Sequence, residues 1–81
     1  MAEYLVARSV SNVGFQAPAE FSSAEAAALE AASRWTNRAA SSARDGDRIP
    51  YEFGGEIHTV TVTMAAGDQI NVYVMPVAAA L

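Results

Sequence analysis

The side chains whose types could carry chemistry are few and widely spaced. His58 is the only histidine, and the chain contains no cysteine. Asp45 and Asp47 flank Gly46 as in a calcium loop, but the later oxygen ligands of such a loop do not follow. Paired carboxylates, such as Glu52 and Glu56 beside Gly54-Gly55, perform acid–base work only in a cleft. We therefore expect no catalytic residues, no metal and no cofactor, and a protein that is not an enzyme.

Arginines beside a tryptophan form the first candidate binding surface. A guanidinium next to an aromatic ring suits a phosphate or a nucleobase, and both residue types are common in protein interfaces. The alternative is that Glu30 and the aspartates of the Asp45-Gly46-Asp47 turn neutralise these cations. The residues of this candidate surface are Arg34, Trp35, Arg38, Arg44 and Arg48.

A second candidate surface lies on the predicted closing hairpin. Tyr73 and Met75 point away from the core in the alternating pattern of that hairpin, together with Thr61. Aromatic and methionine side chains are enriched where proteins meet. Both candidate surfaces therefore predict binding residues for a protein partner.

One stretch has a clear helical signature and must position the first surface. Ser22 and Glu25 have the spacing of a capping box, and alanine, leucine and glutamate, all strong helix formers, dominate the residues that follow. The pattern predicts a helix over 23–39 with small residues on its apolar stripe. Trp35 is its one large anchor, and it lies either in the core or on the surface beside Arg34 and Arg38.

The flanking segments have strand and turn signals. Alternating residues predict a strand over 3–10 and a possible short strand over 15–17. Residues 40–55 are polar and contain Asp45-Gly46, so they predict a connector. Residues 56–75 predict a β-hairpin in which His58, Val60, Val62 and Met64 face inward and Ile57 and the threonines face outward.

These elements predict one domain over residues 1–81 with an α+β fold. The expected order is strand, a possible second strand, helix, strand and strand. An antiparallel sheet of three to four strands, with one helix packed on one face, is the simplest two-layer arrangement of these elements. The small residues of the helix would then cover the inward-facing valines of the hairpin.

Charge and composition narrow the classes of partner. The chain of 81 residues has no lysine and a formal net charge of −4, whereas nucleic-acid binders usually carry a basic excess. A nucleic-acid partner is therefore unlikely by charge. The first residues lack the basic and apolar regions of a signal peptide, and no apolar run has the length of a membrane span. We expect a cytoplasmic protein that does not bind a membrane.

The combined pattern resembles a family of small phage proteins. The chain has a Tyr4-Leu-Val strand, a Phe21-Ser-Ser cap, an alanine-rich helix ending in Trp35 and a closing hairpin. In this it resembles the compact α+β anti-CRISPR proteins, which are short, lysine-poor or acidic and free of cofactors. The resemblance covers residues 3–75 as a pattern and includes no specific motif. It implies a stoichiometric inhibitor that binds a CRISPR effector subunit in the host cytosol and blocks recognition of target DNA or recruitment of the nuclease.

Three functions remain open from the sequence. The first is a non-enzymatic protein-binding module, such as an inhibitor of a larger host complex. The second is a homo-oligomeric structural or regulatory subunit, for example a homodimer joined through an edge strand or the helix. The third is a nucleic-acid binder that uses the arginines between 34 and 48.

Overall fold

Within the residues that the computed structural model describes, which are 2–8, 19–50 and 55–77, five strands form one antiparallel sheet and one helix packs on it. The architecture is therefore α+β, as predicted, but the sheet has five strands instead of three or four. The elements in chain order are β1 (Ala2–Ala7), β2 (Ala19–Phe21), α1 (Ala24–Thr36), β3 (Ala40–Pro50), β4 (Glu56–Met64) and β5 (Gln69–Pro76).

The order of strands across the sheet explains the path of the helix. The order is β2-β1-β5-β4-β3, so β2 and β3 are the two outermost strands. Helix α1 connects these two strands and must carry the chain from one edge of the sheet to the other. Its 13 residues span about 20 Å. Five strands at the usual spacing span about 19 Å, so the helix is long enough for this crossing.

An alanine stripe on α1 forms the contact with the sheet. Five alanines of the helix are buried, and four of them are completely inaccessible to solvent. They pack against the face of the sheet that carries Val60, Val62 and Met64 from β4 and Val72 and Val74 from β5. We call this the inner face and the opposite one the outer face. The buried alanines are Ala24, Ala27, Ala28, Ala31 and Ala32.

The predicted hairpin is confirmed as β4 and β5. Val60 lies opposite Val72, and His58 lies opposite Val74, so the inward-facing residues of both strands share one face. The turn contains Gly67, whose φ of 101° is in the left-handed region that favours glycine. The prediction for Ile57 was wrong in part: it lies on the outer face, but only 1% of it is exposed. Ile49 lies directly opposite it on β3.

The predicted connector over 40–55 is wrong for residues 40–50, which form the long edge strand β3. This strand pairs with β4 along its length, but its register shifts between Ala40 and Ser42 and again between Asp45 and Arg48. The Asp45-Gly46 pair, which predicted a turn, lies at the second bulge. A Cβ at Gly46 would stand 3.0 Å from the carbonyl oxygen of Thr59, so any larger residue here would push the backbone of β4 away by a few tenths of an ångström. Polar side chains are tolerated here because an edge strand faces solvent.

The helix is shorter than predicted, and residues 9 and 10 of the strand predicted over 3–10 lie outside the described residues. β1 ends at Ala7, and α1 begins after Ser23, whose side chain accepts a hydrogen bond from the backbone N–H of Ala26. Ser23, and not Ser22, is therefore the N-cap. The chain does return to pair with β1, but it does so as β2, whereas the strand predicted over 15–17 lies outside the described residues.

We predict that Ala28→Leu lowers the free energy of unfolding by about 1 to 3 kcal/mol, because the added methylenes have no space between the helix and the sheet. Urea denaturation measures the change. Ala26→Leu is the matched control, since Ala26 is only half-buried, and it should change the free energy by less than about 0.5 kcal/mol. Equal losses in the two variants would contradict close packing at the alanine stripe.

Candidate functional site

The C-terminal end of α1 is fixed by its own local hydrogen bonds. Asn37 adopts a left-handed conformation with φ of 53°, and its N–H donates to the carbonyl of Ser33. The N–H of Arg38 donates to the same carbonyl, and the Ser33 hydroxyl donates to the carbonyl of Arg38. The predicted helix over 23–39 is therefore too long, because asparagine tolerates the left-handed conformation that ends a helix. Asn37 was the sequence signal for this end.

Arg8 joins the end of β1 to the end of the helix. Its guanidinium lies over the ring of Trp35, 5.0 Å from the ring centroid, which is within the range of a cation–π interaction. Its Nη2 donates to the carbonyl oxygen of Trp35 at 3.1 Å. The last carbonyls of a helix carry partial negative charge, so a cation is favourable there. Trp35 is half-buried and packs against the core, and Arg8 lies over its ring.

An open cavity of about 240 Å³ lies beside this contact, and we call it the helix-end pocket. It forms where β1 stops short: the last pair between β1 and β5 is Ala7 with Tyr73. The start of β5 therefore extends beyond β1 toward the end of the helix. The residues that line the pocket are Arg8, Trp35, Thr36, Ile70 and Asn71.

Sequence reasoning found only one of these lining residues, Trp35. Arg8 falls in the predicted strand over 3–10 and Ile70 in the predicted hairpin over 56–75, and neither was among the predicted binding residues. Strand pairing places these residues near each other, and one sequence gives no direct signal of the register between β1 and β5. An arginine inside the predicted strand over 3–10 was the only sequence signal available.

A second contact holds the helix end from the side of the hairpin turn. Arg38 donates from both terminal nitrogens to the carboxylate of Asp68, at 3.1 and 2.7 Å. This hydrogen bonding, with the charge of the carboxylate, raises the pKa of Arg38. In return, the hydrogen bonds from Arg38 hold the pKa of Asp68 below its ordinary value of 3.8. The predicted binding residue Arg38 is therefore engaged within the chain.

The other predicted arginines do not form one surface. Arg34 pairs with Glu30 at 2.7 Å, in agreement with the alternative that Glu30 neutralises a cation of this candidate surface. Arg44 lies opposite Thr61 on the outer face of β3, and it has no ion pair with any other described residue. Arg48 lies opposite His58 on the inner-face side of the same strand. Arg44 and Arg48 thus lie on opposite faces of the sheet.

Tyr73 and Met75 lie on the outer face, as predicted, and they belong to an interior strand. Met75 lies opposite Leu5 and Tyr73 lies opposite Ala7 on β1, while Thr59 lies opposite Tyr73 on β4. Tyr73, Met75 and Leu5 are half-buried. Their position gives the outer face an apolar centre, and a binding role for Tyr73 and Met75 stays a prediction.

His58 belongs to a charged cluster at the second bulge of β3. Its Nδ1 lies 3.0 Å from Oδ2 of Asp45, and its side chain is only 13% exposed. Arg48 lies 3.3 Å from the same carboxylate and 3.8 Å from Glu56. These contacts join β3 to β4 where the register shifts. The cluster gives His58 and Asp45 a structural role, and Asp47 stays exposed beside them.

Among residues 2–8, 19–50 and 55–77, no three histidine, cysteine or acidic side chains are grouped so that they could hold a metal ion. In those ranges, no helix is long and apolar enough to span a bilayer.

Comparisons with known proteins give no relative for the chain: no protein family, no curated protein and no solved structure matches it. The resemblance to anti-CRISPR proteins therefore stays a prediction from the sequence pattern.

We predict that Asp68→Asn lowers the melting temperature at neutral pH and that the difference from the native protein disappears in acid. The folded pKa of Asp68 is lowered, so its stabilisation is present above the ordinary pKa of 3.8 and is lost as the pH falls through the lowered value. Both side chains of the Arg38–Asp68 pair are exposed, so the difference in melting temperature should be small and should shrink in about 1 M salt.

Thermal unfolding from pH 7 to pH 2 measures this effect. Glu30→Gln is the matched control, because it removes one carboxylate from another exposed ion pair of the helix. A difference between native protein and Asp68→Asn that persists or grows at pH 2 would contradict the assignment.

Proposed function

We propose that this chain is a non-enzymatic protein-binding module whose contact surface is centred on the helix-end pocket. The observation that carries the proposal is the contact between Arg8 and Trp35 at the rim of an open cavity. Tryptophan and arginine are the residue types that most often dominate the energy of protein interfaces. Here both belong to one site and hold each other in place.

The size of the pocket favours a protein partner over a cofactor. Pockets for drug-sized ligands and cofactors usually measure about 300–1,000 Å³. The helix-end pocket, at about 240 Å³, is smaller and suits one inserted residue of a partner. Four of its lining residues belong to α1 and β5, whose backbones are fixed by the helix and the sheet, and Arg8 directly follows β1. A preformed pocket of this kind loses little conformational entropy on binding.

The two alternative functions have less support from the geometry. A nucleic-acid site through the arginines would need a shared positive surface, but Arg34, Arg38 and Arg48 each lie beside a carboxylate. Dimerisation through an edge strand would need a flat, regular edge. β3 has two register shifts and charged side chains, and β2 has only three residues, features that oppose edge-to-edge pairing.

We further propose that the partner is a subunit of a CRISPR effector complex and that the chain inhibits it stoichiometrically. The support is the sequence pattern described above together with the small α+β architecture. The formal net charge of −4 is too small to favour mimicry of DNA, so inhibition would operate through the pocket and its surroundings.

We predict that Asn71→Arg weakens capture of the partner at least about tenfold. Asn71 is exposed at the pocket rim, and a larger side chain there would fill the space that the partner enters. The native protein, immobilised and incubated with extract of its own host, should retain one protein that then forms a 1:1 complex with it after purification. Isothermal titration of the purified pair gives the affinity.

Ser42→Arg is the matched control, because Ser42 is also exposed but lies on β3, at the far edge of the sheet. This variant should bind as the native protein does. Equal weakening by both substitutions, or by neither, would contradict a contact surface centred on the pocket. Recovery of no partner would count against the protein-binding function itself.

We predict that an equimolar amount of the chain prevents a CRISPR effector complex of its host from binding target DNA or recruiting its nuclease. A gel-shift assay and a cleavage assay on the reconstituted complex measure these two steps. If the effector complex keeps its full DNA binding and cleavage activity at a tenfold excess of the chain, the proposal that a CRISPR effector is the partner is wrong. The broader proposal of a protein-binding function is not affected by that result.

A further inference from the structure

We propose that the helix-end pocket binds one aromatic side chain, a phenylalanine or a tyrosine, of the partner protein. The ring would lie against the guanidinium of Arg8 and pack on Trp35 and Ile70. This inference rests on the proposed protein-binding function and specifies the class of side chain that the pocket recognises.

The apolar walls of the pocket lie on one side of the sheet. Ile70 lies opposite Val62 on the inner face, and Ile70 and Trp35 both pack against the core while they stay half-buried. Both also line the pocket, so they form its apolar wall. The side chain of Asn71 is hydrogen-bonded to Thr61 on the outer face, so Asn71 borders the pocket only at the rim.

Arg8 supplies a charged wall that is already held in place. Its guanidinium lies 5.0 Å from the centroid of the Trp35 ring, and its Nη2 donates to the carbonyl oxygen of Trp35 at 3.1 Å. The side chain of Arg8 is exposed and lines the pocket, so a ligand in the pocket can contact it. Because two contacts already restrain Arg8, little conformational entropy is lost when a ligand packs against it.

An aromatic ring gains free energy from each of these walls. The negative face of a ring attracts the guanidinium of Arg8, and a ring packs on the indole of Trp35 in an offset or edge-to-face arrangement. Its apolar surface is also buried against Ile70. An aliphatic side chain would cover the guanidinium without attracting it. An acidic side chain would attract it but would bring a carboxylate among apolar walls, where a charge is poorly solvated.

The volume of the pocket suits one ring. An engineered apolar cavity of about 150 Å³ binds benzene. The helix-end pocket, at about 240 Å³, therefore has room for one ring with its Cβ or its hydroxyl group. The hydroxyl of Thr36 donates to the carbonyl of Ala32 at 2.7 Å, so this part of the lining requires no polar group from the ligand.

A nucleobase also has an aromatic ring, but the charge of the chain favours a protein side chain. The formal net charge is −4, which repels phosphates. Arg34 and Arg38, the arginines nearest to Trp35 along the chain, are each paired with a carboxylate. A phenylalanine or tyrosine brings the ring without a negative charge.

The test uses the whole native chain and three small probes. These are N-acetyl-phenylalaninamide, N-acetyl-cyclohexylalaninamide and adenosine monophosphate. The cyclohexyl ring is similar in size to the phenyl ring and is apolar, but it has no π face. The methyl signals of Ile70 in ¹³C-correlated NMR spectra report binding at the pocket. The fluorescence of Trp35, the only tryptophan, gives a second readout.

We predict that the phenylalanine probe binds saturably and at least about threefold more tightly than the cyclohexyl probe, because Arg8 attracts only the aromatic ring. Arg8→Met keeps an apolar side chain but removes the charge, so it should abolish this preference. Arg44→Met, the matched control, removes the same charge from an exposed arginine on the outer face and should preserve the preference.

Equal or tighter binding of the cyclohexyl probe, tighter binding of adenosine monophosphate, or no saturable change with any probe would overturn the inference. The comparison of probes on the native chain does not depend on how the Arg8 variant folds. The result is also separate from the capture experiment: a partner captured at the pocket, without preference for the phenylalanine probe, would refute only the aromatic side chain. Preference for the phenylalanine probe without any captured partner would refute only the protein-binding function.

Discussion

The close approach of one helix to one face of the sheet is the constraint on which the rest of the structure depends. It is possible because the contact stripe of α1 consists of alanines, so no large side chain separates the helix from the valines of β4 and β5. Burial of this apolar surface supplies most of the stabilisation that a chain of 81 residues can obtain. The helix itself ends at the left-handed Asn37.

The end of α1 meets three parts of the sheet, and this meeting forms the site. Arg8 reaches it from β1, Arg38 binds Asp68 in the hairpin turn, and Trp35 packs against the core beside Ile70. Each contact restrains the same helical turn from a different direction. The pocket is therefore a product of the chain's topology: the helix crosses between the outermost strands and ends near the last pair of β1 with β5, Ala7 with Tyr73.

The sequence predicted those elements whose signals are local. The alternation of β4 and β5, the alanine-rich helix and its glutamate–arginine pair follow from residue spacing, and the structure confirms them. β3 was predicted as a connector because an edge strand with two bulges carries polar residues that look like a turn. The sequence did not predict most of the site. Arg8 and Asn71 are far apart along the chain and come near each other only because β1 pairs with β5, and a single sequence gives no direct signal of the register of that pairing. Trp35 was found because it is the one large side chain on a stripe of small ones.

The central claim is that a partner protein binds at the helix-end pocket. Cross-saturation NMR on the purified 1:1 complex tests it most directly, because it reports which protons of this chain lie next to the partner. Irradiation of the partner should attenuate the Trp35 indole signal and the Ile70 methyl signals most strongly. Attenuation centred on Thr59, Tyr73 and Met75 of the outer face, with the Trp35 and Ile70 signals unchanged, would contradict the account.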